Sequence, residues 1–578
     1  MNNDNKRIFL AGALIFLVLL MQPIYYDWLG INPADSVEDV SLNDNSHHAT
    51  SGDENPERKI VKTPIVPQFE TQEELITINT NLYSATITNR SGGSIVKMVL
   101  KEMHNGDYRF QGNYDESGDY IESDLVVLSP IENQGCAPCL SSFDAGKESY
   151  LFFNAPFSML NDTNLKSYTL DSGDGLKLSF QYLDESGMTI YKDVVFSGDS
   201  YEIQHNYRLE NTDGFYGDHF ELRWDGGLAP TEKVALDDIT YAFAMSGQSG
   251  ETEDINQTTA EGEYKRQVLD GDTDWVSIRN KYFTAALIAD VRGTFATLES
   301  HNGDFPQREI TPVYSASIGY PLSVENIKSR LFLGPLDLEQ IQLTGTDLDE
   351  TMNFGFTLIR PIGKAVLWVL KFLQSTLKLN YGFILIIFAL LVRFVTGPLT
   401  RKSFESSQKM QKIQPLVKKI QTKLKDNPTK MNQEVMALYK EKGVNPLGGC
   451  LPMLLQMPLL WALFVVFRST IEFRGAEFIF WIKDLSQPDV IVNLPFTLPL
   501  YGGHIAILPI LMGLSIFLTQ RMSMATMDKA QRPMMYIMNG FFVLLFNQFP
   551  SGLNLYYTVY NILNFFQQRA IRLESEEA

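Results

Sequence analysis

Apolar and polar positions change rhythm several times along the chain, and each rhythm predicts a different structure. Residues 8–26 form an apolar run behind Lys6 and Arg7, long enough to cross a bilayer. It continues through Pro23, Tyr25, Tyr26 and on to Trp28 without a small-x-small cleavage site, so residues 1–26 read as an uncleaved anchor. Residues 27–67 are polar, acidic and rich in Ser, Asp and Pro; they cannot bury a core and predict a flexible tether. From 68 to 345 the period becomes two. Residues 75–80, 83–88 and 176–182 alternate, with Asp174-Gly175, Ser186-Gly187 and Gly198-Asp199 as turns, which predicts an all-β sandwich domain. Within 346–380 the lysines Lys364, Lys371 and Lys378 recur every seven residues and share one helix face. That stretch predicts an amphipathic helix lying on the membrane rather than crossing it.

Residues 381–399 are apolar except for Arg393, and at about 1.5 Å per residue they reach across a bilayer's hydrocarbon layer. An arginine at the centre of a span costs roughly 2.5–3.5 kcal/mol, so it normally faces protein or water and marks function. The alternative is a side chain that snorkels past Arg401 to the headgroups. Next comes a basic segment, 400–449, in which residues 401–442 hold 11 Lys/Arg against four Asp/Glu. Phe404, Met410, Ile413, Leu416, Ile420 and Leu424 keep helical spacing, Asp426-Asn427-Pro428 breaks it, and Met431, Val435 and Leu438 resume it: a helical hairpin. Four further apolar runs, 451–467, 505–520, 534–549 and 553–567, complete a five-span core within 381–570 and six spans in all, before a short acidic tail, 571–578. Residues 468–503 connect two of them on the outer side and carry Trp481 and several Phe suited to a membrane surface.

Charge orients this arrangement. Residues 1–350 hold 24 Lys/Arg and 56 Asp/Glu, whereas 351–578 hold 24 and 12. The acidic part argues against nucleic-acid binding, and the basic hairpin belongs in the cytoplasm, with both termini inside and the β-domain exported. The seven histidines show no ligand spacing, and no phosphate loop or nucleophile elbow follows a strand, so no metal, cofactor or enzymatic chemistry is expected. Cys136 and Cys139 form a lone CxxC, open to a thiol oxidoreductase, half-zinc or loop-disulfide reading. An exported, oxidising compartment favours the disulfide.

Given this topology, Arg393, Gln456, Ser515, Asn539 and Asn561 each lie about 9–12 Å from the cytoplasmic end of their spans. Single Ser or Asn residues often join helices, but five in one layer, with apolar outer halves, predict a polar cavity reaching half way through the membrane. Such a cavity makes a poor channel. It suits a polar or acidic polypeptide segment drawn part way into the bilayer by Arg393. A solute transporter and a ligand-binding scaffold are the rival readings; the absence of a repeated half disfavours the first, and the polar layer the second.

Arg393 with Pro398-Leu399-Thr400, the run 444–452 leading to Gln456-Met457-Pro458, the run 481–486 and the run 549–557 together resemble the YidC family of membrane protein insertases. The resemblance covers about residues 350–570; the anchor and β-domain match the two-membrane bacterial form in layout. It implies an insertase and chaperone for nascent inner-membrane proteins, acting alone or with the Sec translocon. Its groove would carry Arg393 as its charge, with Tyr556 and Tyr557 in the last run among its residues, and its periplasmic domain would be a supersandwich. The tail lacks the basic extension with which some members hold ribosomes, so ribosome contact would fall to the 400–449 hairpin. The cysteine pair lies outside the family's features.

Overall fold

The computed structural model describes residues 61–577 apart from 66, 69–70, 105–106, 145–148, 162–164, 186, 213–216, 258–263, 356–357, 426, 445–450, 499–500 and 525–531. The expected anchor and the tether up to residue 60 lie outside the described residues.

Period-two segments form strands where alternation predicts them, at Leu75–Asn79, Tyr83–Thr88 and Gly175–Leu183. One sheet of five runs Ser167–Thr169, Leu75–Asn79, Tyr83–Thr88, Ser94–Leu100, Val127–Leu128. A sheet of 14 strands forms the other layer, and its centre is Pro312–Pro321, Phe283–Asn302, Asn326–Pro335, Glu202–Glu210 and Thr189–Ser197 in that order. Ile78, Ile87 and Met98 from the small sheet share a core with Phe180, Val194 and Ile203 from the large one, and the rings of Tyr83 and Tyr201 meet at 6.1 Å. The inward face is not wholly apolar, for it also holds His205 and Lys192. Lys192 is fully buried between the layers, its Nζ donating to the carbonyls of Ser91 at 2.8 Å and Pro138 at 3.3 Å. Burial without a carboxylate pushes that amine well below its usual range.

The expected tether ends early. Val61–Pro64 is a strand, paired in parallel with Ser149–Phe152, and Ile65 packs against the core. Where apolar residues return every few positions, even a Pro-containing segment can occupy a sheet edge.

Nine helices appear among the described residues: α1 Ala235–Tyr241, α2 Leu338–Leu343, α3 Arg360–Leu377, α4 Tyr381–Lys423, α5 Pro428–Glu441, α6 Leu451–Ser469, α7 Leu508–Met524, α8 Arg532–Phe546 and α9 Ser551–Glu577. Two lysines of the expected stripe, Lys364 and Lys371, face acidic residues of the protein instead of headgroups, while Lys378, just past the end of α3, is exposed. Lys364 pairs with Asp349, and Lys371 reaches Asp337 at 2.9 Å, Glu339 at 3.1 Å and Glu472 at 3.3 Å. Apolar residues are exposed instead: Trp368 and Phe372, stacked at 5.6 Å, and Leu377. Periodicity identified the charged face correctly but could not show that acidic residues from elsewhere in the chain cover it.

The apolar run 381–399 and the first arm of the basic segment form one 43-residue helix, α4, which passes through Pro398 and Pro415. Its turn into α5 falls at the expected break, where the Asn427 side chain accepts from the Lys430 amide at 3.1 Å. Tyr381–Met410 is the stretch long and apolar enough to cross a membrane among the described residues; Met457–Ser469, Leu508–Arg521 and Tyr536–Phe546 are shorter apolar helices. Two boundaries differ from expectation. Residues 502–506, placed partly in a span, pair with Val490–Leu498 in a β-hairpin, so α7 begins only at Leu508. The acidic tail is no separate element, since α9 continues to Glu577.

A buried ion pair joins the β-domain to the loop between α6 and α7. Arg474 donates to Glu232 at 2.8 Å and to the carbonyls of Gln111 at 2.7 Å and Thr231 at 3.2 Å. Two further buried pairs brace the β-domain side of this contact: Lys281 holds Asp237 at 2.9 Å, and Arg308 holds Asp238 at 3.0 Å. Burial, with the charge of Glu232 next, pushes the Asp238 carboxyl up to about 7 despite Arg308.

Candidate functional site

Asn380 caps α4, its side chain accepting from the Gly382 amide at 2.9 Å, and sets the register that turns Arg393 inward toward α9. Arg393 is only 8% exposed. Its Nη2 donates to Oε1 of Gln567, whose amide nitrogen in turn donates to the Gly397 carbonyl at 3.2 Å, so Gln567 bridges α9 to α4 on both sides of the guanidinium. The guanidinium carbon lies 5.6 Å from the centre of the Tyr560 ring. Nε and Nη1 have no hydrogen-bond partner, and no carboxylate pairs with Arg393 among the described residues. Desolvating a guanidinium costs several kcal/mol unless partners compensate, and here compensation is incomplete.

Beyond Arg393 the helices close with aromatic rings. Tyr560 stacks on Tyr556 at 5.9 Å, one helical turn apart on α9, and Tyr556 meets Phe388 of α4 at 5.7 Å and Phe467 of α6 at 6.4 Å. Phe467 continues to Phe473 at 4.9 Å, and Phe473 to Tyr381 at 5.4 Å. The buried hydroxyls of Tyr556 and Tyr557 have no hydrogen-bond partner among the described residues. Tyr557 points to the other side of the helix, toward Phe546 of α8 at 6.1 Å.

The remaining members of the expected polar layer gather around α7. Ser515 donates to its own helix at the Met512 carbonyl, 2.6 Å away, and Asn539 of α8 donates to the Gly513 carbonyl at 3.3 Å. Asn561 contributes its backbone carbonyl, which accepts from Thr519 at 3.3 Å. Asn539 and Asn561 thus tie α8 and α9 to α7, as polar groups do in apolar surroundings, while the Ser515 hydroxyl is used within α7; the Ser515 and Asn539 donors are directed to backbone carbonyls of α7. Gln456 lies on α6, where its side chain is outside the described residues. The structure therefore brings Arg393 together with Tyr560 and Gln567, both of which sequence reasoning missed, and reaches the expected Tyr556 through its stack on Tyr560. Gln567 follows Tyr560 by seven residues and so shares its helix face; that spacing was the available signal, obscured because the apolar run ends there.

Two of the quoted runs interlock. The amides of Ser551 and Gly552 at the start of α9 donate to the carbonyls of Gln487 at 2.8 Å and Leu485 at 2.9 Å, while the Ser551 hydroxyl donates to the Asp484 carbonyl at 2.8 Å. A side chain at 552 would put Cβ 3.0 Å from the Leu485 carbonyl oxygen, which explains glycine there. Far from this site, Cys136 and Cys139 are joined as a disulfide, buried with Tyr150 and Phe152.

Comparison with known proteins follows the same division of the chain. The family described as YidC periplasmic domain matches residues 155–369, and that described as 60Kd inner membrane protein matches 372–577. The Membrane protein insertase YidC of Chlorobium limicola is 36% identical, over 86% of this chain and 82% of the relative. That of Chlorobium phaeovibrioides is 40% identical over 87% and 83%, and that of Chloroherpeton thalassium 33% identical over 87% and 84%. A bacterial glucoamylase complexed with acarbose overlaps 51% of this chain and 38% of its own at 10% identity, and its TM-score of 0.27 carries no argument. On the strength of relatives matched across most of both lengths, the chain belongs to the YidC family of membrane protein insertases.

Proposed function

We propose that this chain inserts and helps fold nascent inner-membrane proteins by holding a polar or acidic segment of the client at Arg393 while the adjoining apolar segment passes into lipid. The observation that carries the reading is Arg393, a residue 8% exposed, with two guanidinium nitrogens lacking partners among the described residues. A client carboxylate or backbone carbonyl would supply what the protein leaves unsatisfied, strengthened by the low dielectric. Gln567 and Tyr560 position the charge, and the aromatic rings from Tyr556 to Tyr381 close the site at about half depth. No bond is made or broken in this scheme.

The rest of the reading follows charge and apolar lengths. Six spans place both termini and the α4–α5 basic hairpin in the cytoplasm, where the hairpin would meet the ribosome, and the β-domain in the periplasm. Cooperation with the Sec translocon rests on the family resemblance. The test is photo-crosslinking from positions 456, 560 and 567 to a stalled short nascent membrane protein. Adducts to the segment ahead of the client's first span are expected; adducts confined to lipid-facing positions such as 514 would refute the site.

A further inference from the structure

The β-hairpin of Val490–Leu498 and Gly502–Ala506 has no part in the proposed client site, yet its first strand exposes a run of apolar side chains. Val490, Ile491, Val492, Phe496 and Leu498 are all exposed, Phe496 at 57%. The pairing register shifts between Val490 and Val492, and along the whole strand only Leu494 is even partly covered. Neither face is therefore packed on a core, which does not suit a ribbon that buries one face and wets the other. From residue 490 to 520 there is no Asp, Glu, Lys or Arg. Sheet edges that stand in water are normally blunted with such charges to prevent pairing.

We propose that this hairpin is a membrane-surface anchor, lying in the interfacial layer of the bilayer at the amino-terminal end of α7. It is continuous with that membrane helix, only Ile507 separating Ala506 from Leu508. It is also fixed to the membrane domain. The Asn547 side chain accepts from the Ala506 amide at 3.0 Å and donates to the carbonyls of Tyr501 and His504, both at 2.8 Å. On the other flank Asp489 accepts from Trp481 at 2.9 Å and from the Ile507 and Leu508 amides at 3.0 and 2.8 Å. This places Trp481, with exposed Phe480 stacked on it at 5.9 Å, beside the hairpin, and aromatic residues of this kind favour the headgroup level. Depth is limited from the other side. A two-stranded ribbon leaves edge amides and carbonyls unpaired, which the hydrocarbon does not tolerate but the hydrated interface does. The hairpin would thus hold the outer loop at a fixed height while clients load against α4 and α9.

The experiment places an environment-sensitive fluorophore at Ile491→Cys or Phe496→Cys, in a Cys450→Ser background, in the full chain reconstituted into phosphatidylethanolamine–phosphatidylglycerol vesicles. Controls carry it at Leu236→Cys on exposed α1 and Leu514→Cys on exposed α7. The label at 491 and 496 is expected to be quenched several-fold more by lipids with a nitroxide near the headgroup than the label at 236, and more by that lipid than by one with a deep nitroxide. Position 514 should show the reverse depth order. Quenching by aqueous iodide at the level of position 236 would show a hairpin standing in water and would overturn the proposal. Protection from both iodide and lipid nitroxides would show protein cover, from a second copy or an added strand, and would overturn it equally. Because every labelled side chain is exposed, misfolding is read separately from the melting of the β-domain, and Val492→Cys serves as a replacement position on the same strand.

Discussion

Arg474→Ala tests whether the β-domain is locked to the membrane domain or merely rests against it. The Arg474 and Glu232 side chains are 6% and 5% exposed and 2.8 Å apart. Removing one member of so buried a pair leaves the other charge uncompensated and costs about 3–5 kcal/mol, against about 0–1 kcal/mol for a surface pair. The arginine also leaves the carbonyls of Gln111 and Thr231 without their donor. At about 1.4 kcal/mol per tenfold, the loss corresponds to an opening of this contact roughly a hundredfold to a few thousandfold more frequent. Hydrogen exchange of peptides spanning 470–490 and 229–241 reads it directly; one reporter is the Leu485 amide, bonded to the Ala476 carbonyl at 3.0 Å. Glu232→Gln in the same chain removes the stranded charge, so the double variant should exchange more slowly than Arg474→Ala alone. Exchange within tenfold of the parent, or simple additivity in the double variant, would refute the locked contact.

Raising the pH should weaken the β-domain through Asp238. Its folded carboxyl, pushed up to about 7, lies above the unfolded value, so its stabilising contribution is complete below about pH 4 and is lost as pH rises through about 7; Asp238→Asn should remove that slope from thermal melts. Replacing both Cys136 and Cys139 by Ala should lower the melting temperature by a few degrees and leave insertion unchanged, since closing so short a loop is worth about 2 kcal/mol. Lost insertion would instead indicate a redox role. Gln567→Glu should place a competing carboxylate on Arg393 and reduce insertion of acidic clients, whereas Gln567→Leu should retain the free charge and lose only a bond worth about 1.5–3 kcal/mol; parallel insertion assays at equal expression separate the two.

The parts of the molecule legible in its sequence were those governed by local period. Alternation located Leu75–Asn79 and Tyr83–Thr88, and the Asp426-Asn427-Pro428 break located the turn between α4 and α5. What escaped depended on distant partners. Lys192 sits on the inward face because carbonyls at Ser91 and Pro138 receive it, and the α3 lysines turn inward because Asp337, Asp349 and Glu472 await them. The polar layer was read from depth alone, which fixes height but not azimuth. Arg393, Tyr560 and Gln567 meet, while Ser515 and Asn539 are directed to backbone carbonyls around α7. The hairpin at 490–506 was read as part of a membrane-surface connection and the start of a span, without strands, because its run of exposed apolar residues with a shifting register has no alternation to detect.

The central claim is that the positive charge of Arg393 attracts the client. Its most direct test measures insertion of two clients that differ only in acidic or neutral residues ahead of the first span, by the parent, Arg393→Lys and Arg393→Ala at equal levels. Charge attraction predicts that Arg393→Lys retains most activity on both clients, because charge survives although the planar fork does not, and that Arg393→Ala loses far more on the acidic client than on the neutral one. Equal losses on the two clients would contradict it.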